Sequence, residues 1–224
     1  VVYFPSSAAA VGNVDECEIL YGHCSRKVVK SAKSLKWYCT CWAGVNHFCD
    51  ESLYQNPDCR LTNSSGAYGT TISEHLIMVC LMLLRRQMEY TEIIRAGGWE
   101  TLPGGIRSLH GARITVLGTG DIGTEFARRA QAFHPACITG VRRTVKPSDP
   151  AFTAIHAIAE LDSVLPETDI LVMALPSTAE TVGILSRERI ALLPDSAFVV
   201  NVGRGTAIDQ EALCDALNAG QLAG

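Results

Sequence analysis

The chain has 224 residues, a net charge of −4 and 47% apolar against 19% charged residues, enough material for one large or two modest domains. That charge balance gives no reason to expect nucleic acid or an anionic membrane surface as a partner. The longest apolar run, residues 76–84, is far short of the ~20 residues a membrane span requires; it is closed by Arg85 and Arg86 and reads as a buried helix.

In chain order, short strands are expected at residues 1–4, 18–21, 36–41 and 59–62, with helical material such as residues 26–34 between some of them. A long helix follows over residues 72–96, supported by Ile72, Leu76, Val79, Cys80, Leu83 and Ile94 and stopped by Gly97-Gly98. After the loop at Pro103-Gly104-Gly105, strands are expected at 113–117, 137–141, 153–156, 169–174 and 197–202. Helices fall between them at 121–134, 158–165 and 186–193, and a last one runs from Asp209 to about Ala219 with Asp209 as N-cap and Glu211 in its first turn. Strand alternating with helix predicts an α/β fold with a doubly wound parallel sheet. Both ends read as cut: residues 1–4 begin inside an expected strand without an initiator methionine, and Gly224 follows a helix where such a sheet enters its next strand.

The nine cysteines are odd in number and form no C-x-x-C pair. Cys80, Cys137 and Cys214 lie inside apolar patterns, and Cys39-Thr40-Cys41 alternates along an expected strand. They read as reduced cytosolic residues acting as small apolar fillers, and the histidines and cysteines lack metal-ligand spacing.

The most informative stretch runs from Arg113 through Leu117 into Gly118-Thr119-Gly120-Asp121-Ile122-Gly123. Ile114, Val116 and Leu117 read as a buried parallel strand, and Ile122, Phe126, Ala130 and Phe133 recur at helical spacing beyond the turn. A glycine triplet between such a strand and helix is the Rossmann dinucleotide fingerprint. Gly118 permits the tight turn, Gly120 lets the backbone approach a pyrophosphate, and Gly123 allows the helix to pack close to the strand. The helix N-terminus offers N–H groups and partial positive charge to the phosphates. Further on, Asn201-Val202-Gly203-Arg204-Gly205 follows an apolar strand, so Arg204 stands at the carboxyl edge of the sheet, where open α/β sheets bind ligands. From position alone Arg204 is equally a solvated loop residue or a fork of donors that grips a 2-keto acid carboxylate and polarises its carbonyl.

Taken with these two motifs, Trp42-Ala43-Gly44-Val45-Asn46, Thr62-Asn63-Ser64-Ser65-Gly66 with Ser73-Glu74-His75, Leu109-His110-Gly111 and Leu175-Pro176-Ser177-Thr178-Ala179-Glu180-Thr181 stand in the order in which similar motifs stand in one family. The chain resembles the D-isomer-specific 2-hydroxyacid dehydrogenases over nearly its whole length. The resemblance implies a dinucleotide-binding domain over residues 68–224 and an incomplete, flavodoxin-like substrate domain over residues 1–67. It implies that Arg204 is the catalytic arginine and that the backbone N–H groups of Gly44 and Val45 hold the substrate carboxylate. Besides Gly118, Thr119, Gly120, Asp121, Ile122 and Gly123, it places Leu175, Pro176 and Thr181 at the adenosine side of the cofactor, and Ala174, Val202 and Gly203 near the nicotinamide. Members are usually homodimers, and residues 72–96 are a candidate contact. Asn46 stands where the family usually has Asp.

Two departures bear on chemistry. An NAD site carries an acidic residue about 20 positions beyond the first glycines to bond the ribose 2′-OH. Here the second strand ends in Arg142-Arg143-Thr144, two guanidiniums and a hydroxyl that suit a 2′-phosphate, so NADPH is expected over NADH. The family's proton-donating histidine and its glutamate lie beyond the last helix of this sequence, and none of the six histidines here reads as a substitute. The chain by itself is therefore expected to be a poor catalyst.

The leading expectation is a cytoplasmic oxidoreductase that exchanges a hydride between NADPH and a small 2-keto or D-2-hydroxy acid. A dinucleotide-sensing, corepressor-like interaction protein on the same scaffold is the alternative. An adenosylhomocysteine-hydrolase-like enzyme is a third reading, against which Gly203-Arg204-Gly205 argues. Trp42 and Tyr68 read either as pocket walls or as core aromatics.

Overall fold

Apolar runs bounded by glycine and proline turns form two parallel sheets in the computed structural model, which describes residues 1–145 and 149–224. The chain divides into two units, Val1–Tyr68 and Gly69–Gly224.

The first unit contains α1 (Ser7–Ala10), β1 (Ile19–Tyr21), α2 (Arg26–Ser31), β2 (Trp37–Cys39) and β3 (Arg60–Thr62). The strands form a parallel sheet in the order β1-β2-β3, with Leu20 beside Tyr38 and Tyr38 beside Leu61. Ser25 caps α2 by accepting from the Val28 N–H, which satisfies one of the donors left over in a first helical turn. Val28, Val29, Leu35 and Leu53 close the core around Tyr38, whose ring meets Phe48 edge-on at 5.0 Å. The strand expected at residues 1–4 does not form. Val1, Val2 and Tyr3 are exposed, so apolar character there is not matched by a neighbouring strand to pair with.

The second unit opens with α3 (Gly69–Leu84) and α4 (Gln87–Arg95). The expected continuous helix over 72–96 is thus two helices. Arg86 adopts the left-handed conformation at φ 54°, its guanidinium bonds Glu89 and the carbonyl of Pro103, and the Arg107 N–H donates to Leu84 O at 2.9 Å. These contacts hold the end of α3 and re-aim the chain, and Arg107 and Pro103 come from well beyond the helix.

There follow β4 (Arg113–Leu117), α5 (Asp121–Ala130), β5 (Cys137–Arg142), β6 (Ala154–Ala157), α6 (Leu161–Val164), β7 (Ile170–Met173), α7 (Arg187–Ile190), β8 (Phe198–Asn201) and α8 (Gln210–Asn218). All five strands run parallel in the order β6-β5-β4-β7-β8, with β4 central and α/β layers as expected. Side chains alternate across β4. Ile114 and Val116 pack toward Leu76, Cys80 and Phe126 of α3 and α5, while Leu117 packs with Leu161, Leu171 and Met173 on the other face. The buried hydroxyls of Thr115 and Thr168 satisfy each other at 2.7 Å. The helix expected at 158–165 is α6 flanked by 3-10 turns, and that expected at 186–193 shrinks to the four residues of α7 before Pro194. Asp209 caps α8 through the Ala212 N–H, as expected.

All nine cysteines are free thiols, and burial pushes the Cys80 thiol up to about 12, which fits an inert apolar filler. Among the described residues no helix is long and apolar enough to cross a membrane.

Candidate functional site

The glycine turn grows directly out of β4. Gly118 has φ +105°, its N–H donates to Val141 O at 2.9 Å, and a Cβ there would stand 2.8 Å from Ala174 O. A Cβ on Gly123 would overlap the carbonyl of Gly118 and lie 2.9 Å from Val116 Cγ1, so a side chain there would push α5 off the strand. Gly120 is different: a Cβ would meet nothing within 4 Å, which leaves open space beside the backbone. Gly120 is also the N-cap of α5 and supplies no side-chain acceptor, so the first N–H groups of the helix are uncapped. Thr119 Oγ1 is buried without a hydrogen-bond partner among the described residues. An uncapped helix N-terminus, an open glycine and an orphaned hydroxyl in one turn fit a dinucleotide pyrophosphate.

The neighbouring strands end beside this turn. Ala174 N donates to Leu117 O at 2.9 Å and Val202 N to Met173 O at 3.0 Å, so residues 174–176 and 202–204 continue the same carboxyl edge of the sheet. Gly203 packs so tightly on the segment after β7 that a Cβ would stand 2.6 Å from Leu175 O. Thr181 is buried, and its hydroxyl donates to Pro176 O at 2.6 Å and accepts from the Thr178 N–H at 2.8 Å; the side chain braces the loop after β7.

At the tip of β5, Arg142 is half-buried and Arg143 and Thr144 are exposed. The Glu180 carboxyl is held below its ordinary value, first by a hydrogen bond from Thr178 and also by the charge of Arg143, which puts Arg143 within electrostatic reach of the loop after β7. No carboxylate stands between Cys137 and Val145.

Arg204 follows β8 in a turn built by Asn201. The Asn201 Oδ1 accepts from the Gly203 N–H at 2.9 Å, and its Nδ2 donates to the Arg204 carbonyl at 3.1 Å. The exposed guanidinium of Arg204 donates to the carbonyl of Gly203 at 3.2 Å, and among the described residues it belongs to no ion pair. A guanidinium without a carboxylate partner keeps its fork of donors available for one.

In the first unit, Gly44 and Val45 are half-buried in the loop after β2, just before a 3-10 turn at Asn46–Phe48. Thr40, Asn63, Ser64 and Tyr68 hold that loop. Trp42 N donates to Thr40 Oγ1 at 3.2 Å, Asn63 Nδ2 to Ala43 O at 2.7 Å, Ser64 Oγ to Thr40 O at 3.1 Å and Tyr68 Oη to Cys41 O at 2.5 Å. Arg26 adds bonds to the carbonyl of His47 and the carboxylate of Asp50. Trp42 meets His23 edge-on at 4.3 Å and stacks with Phe48 at 6.4 Å. Trp42 and Tyr68 therefore have bracing work within their unit.

Sequence reasoning missed Asn201 and Asn63 as braces. The signal was available, because an asparagine two residues before a glycine or a serine readily accepts from that residue's N–H; Asn63 Oδ1 accepts from the Ser65 N–H at 3.4 Å. It also missed a histidine–carboxylate pair, His156 Nδ1 to Glu160 Oε1 at 3.2 Å. His156 sits on β6 and Glu160 in the 3-10 turn after it, and β6 is four strand positions from β8 or about 19 Å in a sheet.

Comparison with known proteins gives a consistent result. Residues 77–224 match the family model described as "D-isomer specific 2-hydroxyacid dehydrogenase, NAD binding domain". A glyoxylate/hydroxypyruvate reductase B of Pectobacterium atrosepticum is 35% identical over 159 residues, which is 68% of this chain and 48% of that protein. The chain thus spans about half the length of that curated relative. Among solved structures, a D-isomer specific 2-hydroxyacid dehydrogenase family protein of Aeromonas salmonicida superposes with a TM-score of 0.89 at 28% identity, covering 98% of this chain and 70% of the other. An NADPH-dependent glyoxylate/hydroxypyruvate reductase of Sinorhizobium meliloti, solved with NADP and sulfate, gives 0.79 at 26% identity, covering 95% and 69%.

Proposed function

The chain belongs to the D-isomer-specific 2-hydroxyacid dehydrogenase family, and we propose from that membership that it works as an NADPH-linked reductase of small 2-keto acids, with NADH as a poorer cofactor. One observation carries the reading: the sheet edge that presents the uncapped glycine turn also presents Arg204, braced by Asn201 and unpaired among the described residues. When bound, the reduced nicotinamide supplies the hydride for C2 of the keto acid.

The protein's own part is binding and polarisation. N–H groups of the first turn of α5, from Asp121 to Gly123, hold the pyrophosphate in the open space beside Gly120, Gly118 makes the turn that leads there, and Thr119 offers its hydroxyl. Arg142, Arg143 and Thr144 hold the ribose 2′-phosphate, since two guanidiniums bind a phosphate dianion and repel no part of it. Leu175, Pro176 and the loop braced by Thr181 border the adenosine, and Ala174, Val202 and Gly203 border the nicotinamide. Arg204 offers its guanidinium to a substrate carboxylate, and within the first unit the backbone N–H groups of Gly44 and Val45 are carboxylate donors in their own right. The Arg204 guanidinium also draws charge from the carbonyl oxygen as hydride reaches C2, and the resulting alkoxide takes its proton from water. His156, for all its glutamate partner, stands at the far edge of the sheet from Arg204 and plays no part in this. The unbridged cysteines favour the cytoplasm, and the exposed apolar side chains of α3 and α4 favour a homodimer.

Fluorescence titration with NADPH and NADH, followed by turnover of glyoxylate and hydroxypyruvate, tests the proposal; turnover is expected to be slow, since none of the six histidines reads as the proton donor. NADPH is expected to bind more tightly, and the Arg142→Ala, Arg143→Ala double variant to lose that advantage. A preference for NADPH below about threefold, less than 1 kcal/mol, sinks the cofactor assignment. Arg204→Gln is expected to keep NADPH affinity and to lose at least about 100-fold in kcat/KM.

A further inference from the structure

Asp121 is the first residue of α5, the helix whose uncapped N-terminus is the candidate phosphate site. An acidic side chain in a first turn is drawn to that helix's own N–H groups and to its dipole. Turned that way, its carboxylate would occupy the donors a phosphate needs and add a negative charge beside it.

The structure holds Asp121 elsewhere. Its carboxylate lies over the backbone of Gly69, the first residue of α3, where a Cβ would overlap Oδ1 and stand 2.7 Å from Cγ and 2.8 Å from Oδ2. Gly69 is buried, and α3 and α5 are locked in one core through Leu76, Cys80, Phe126 and Ala130. The backbone at 69 is therefore not free to retreat, and the short Asp121 side chain is the part that must give.

We infer that Gly69 is a positioning residue for the cofactor, acting through Asp121. Its missing side chain is the berth that keeps the Asp121 carboxylate off the phosphate-binding turn. The inference rests on the dinucleotide reading above, and nothing in the glycine fingerprint itself, 49 residues further along at Gly118, points to it.

NADPH is titrated by fluorescence into the wild-type protein, Gly69→Ala, and Gly69→Ala combined with Asp121→Ala. Gly69→Ala is expected to bind about tenfold more weakly, the size of a displaced charge at a helix N-terminus. Removing the carboxylate in that background is expected to restore affinity to within about threefold of wild type. Both variants carry the Gly69→Ala change, so a defect caused by the added methyl group on α3 alone persists in the double variant. Wild-type affinity in Gly69→Ala, or a double variant as weak as the single one, overturns the inference. Failure of the wild-type protein to bind either NADPH or NADH overturns the cofactor reading and the inference together.

Discussion

The substrate role proposed for Arg204 requires a fixed backbone, and Asn201 does the fixing. Its amide makes two bonds that a shorter side chain cannot, to the Gly203 N–H and the Arg204 carbonyl. Each such bond contributes about 1 kcal/mol. Asn201→Ala is therefore expected to lower kcat/KM for glyoxylate about tenfold while the unfolding temperature falls by only a few degrees. A loss confined to stability, with kcat/KM intact, would show that the turn holds itself. Asn63 does the same for the loop of Gly44 and Val45 through its bond to Ala43 O. In both places an asparagine decides where a proposed binding group stands.

Among the elements, β4 and β7 are stitched at their amino ends by Arg113 and Asp169. Asp169 accepts from the Arg113 backbone N–H at 2.7 Å and from its guanidinium at 3.0 Å. Burial works to raise the Asp169 carboxyl, but the bonds from Arg113 outweigh it and hold the group below its ordinary value of 3.8. A depressed native pKa stabilises the fold fully above the unfolded value, and that contribution is lost as pH falls through the native one. Urea unfolding is thus expected to show Asp169→Asn about 1 kcal/mol less stable at pH 7, because the half-buried donors of Arg113 lose their charged acceptor. The gap should narrow below pH 3.8, where the wild-type carboxyl also takes up its proton. A gap unchanged between pH 7 and pH 2.5 would assign the loss to packing rather than charge. Strands and glycine turns of this unit were legible because their signals are local: β-branched runs closed by glycine, and Asp209 at a helix start. The break at Arg86 was not legible. Apolar spacing continues across it, and what ends α3 is a bond from Arg107 and a bond to Pro103, residues that no helical period encodes. The strand expected at 1–4 fails for the complementary reason, since a strand exists only where another chain segment pairs with it.

For the molecule as a whole, the order of motifs along the chain foretold the parallel sheet and the family, while the arrangement of copies has to be measured. Met78, Met88, Ile94, Trp99 and Ile106 are exposed on and after α3 and α4, and Trp99 is 98% exposed. Light scattering is expected to give twice the 24.1 kDa chain mass, and Ile94→Asp with Trp99→Ser to give a single chain that still binds NADPH. A wild-type protein of one-chain mass would contradict the homodimer. The thiols offer a way to watch the molecule at work. Burial pushes Cys24, Cys59 and Cys80 up, away from thiolate, whereas Cys49 in the first unit and Cys214 in the second are exposed. An environment-sensitive dye attached at one of these two thiols, in a protein whose other cysteines are replaced by serine or alanine, makes the surroundings of that unit an optical signal. Emission recorded before and after addition of NADPH and a keto acid then reports which unit senses which ligand, without a substitution at the cofactor edge or in the turn that carries Arg204.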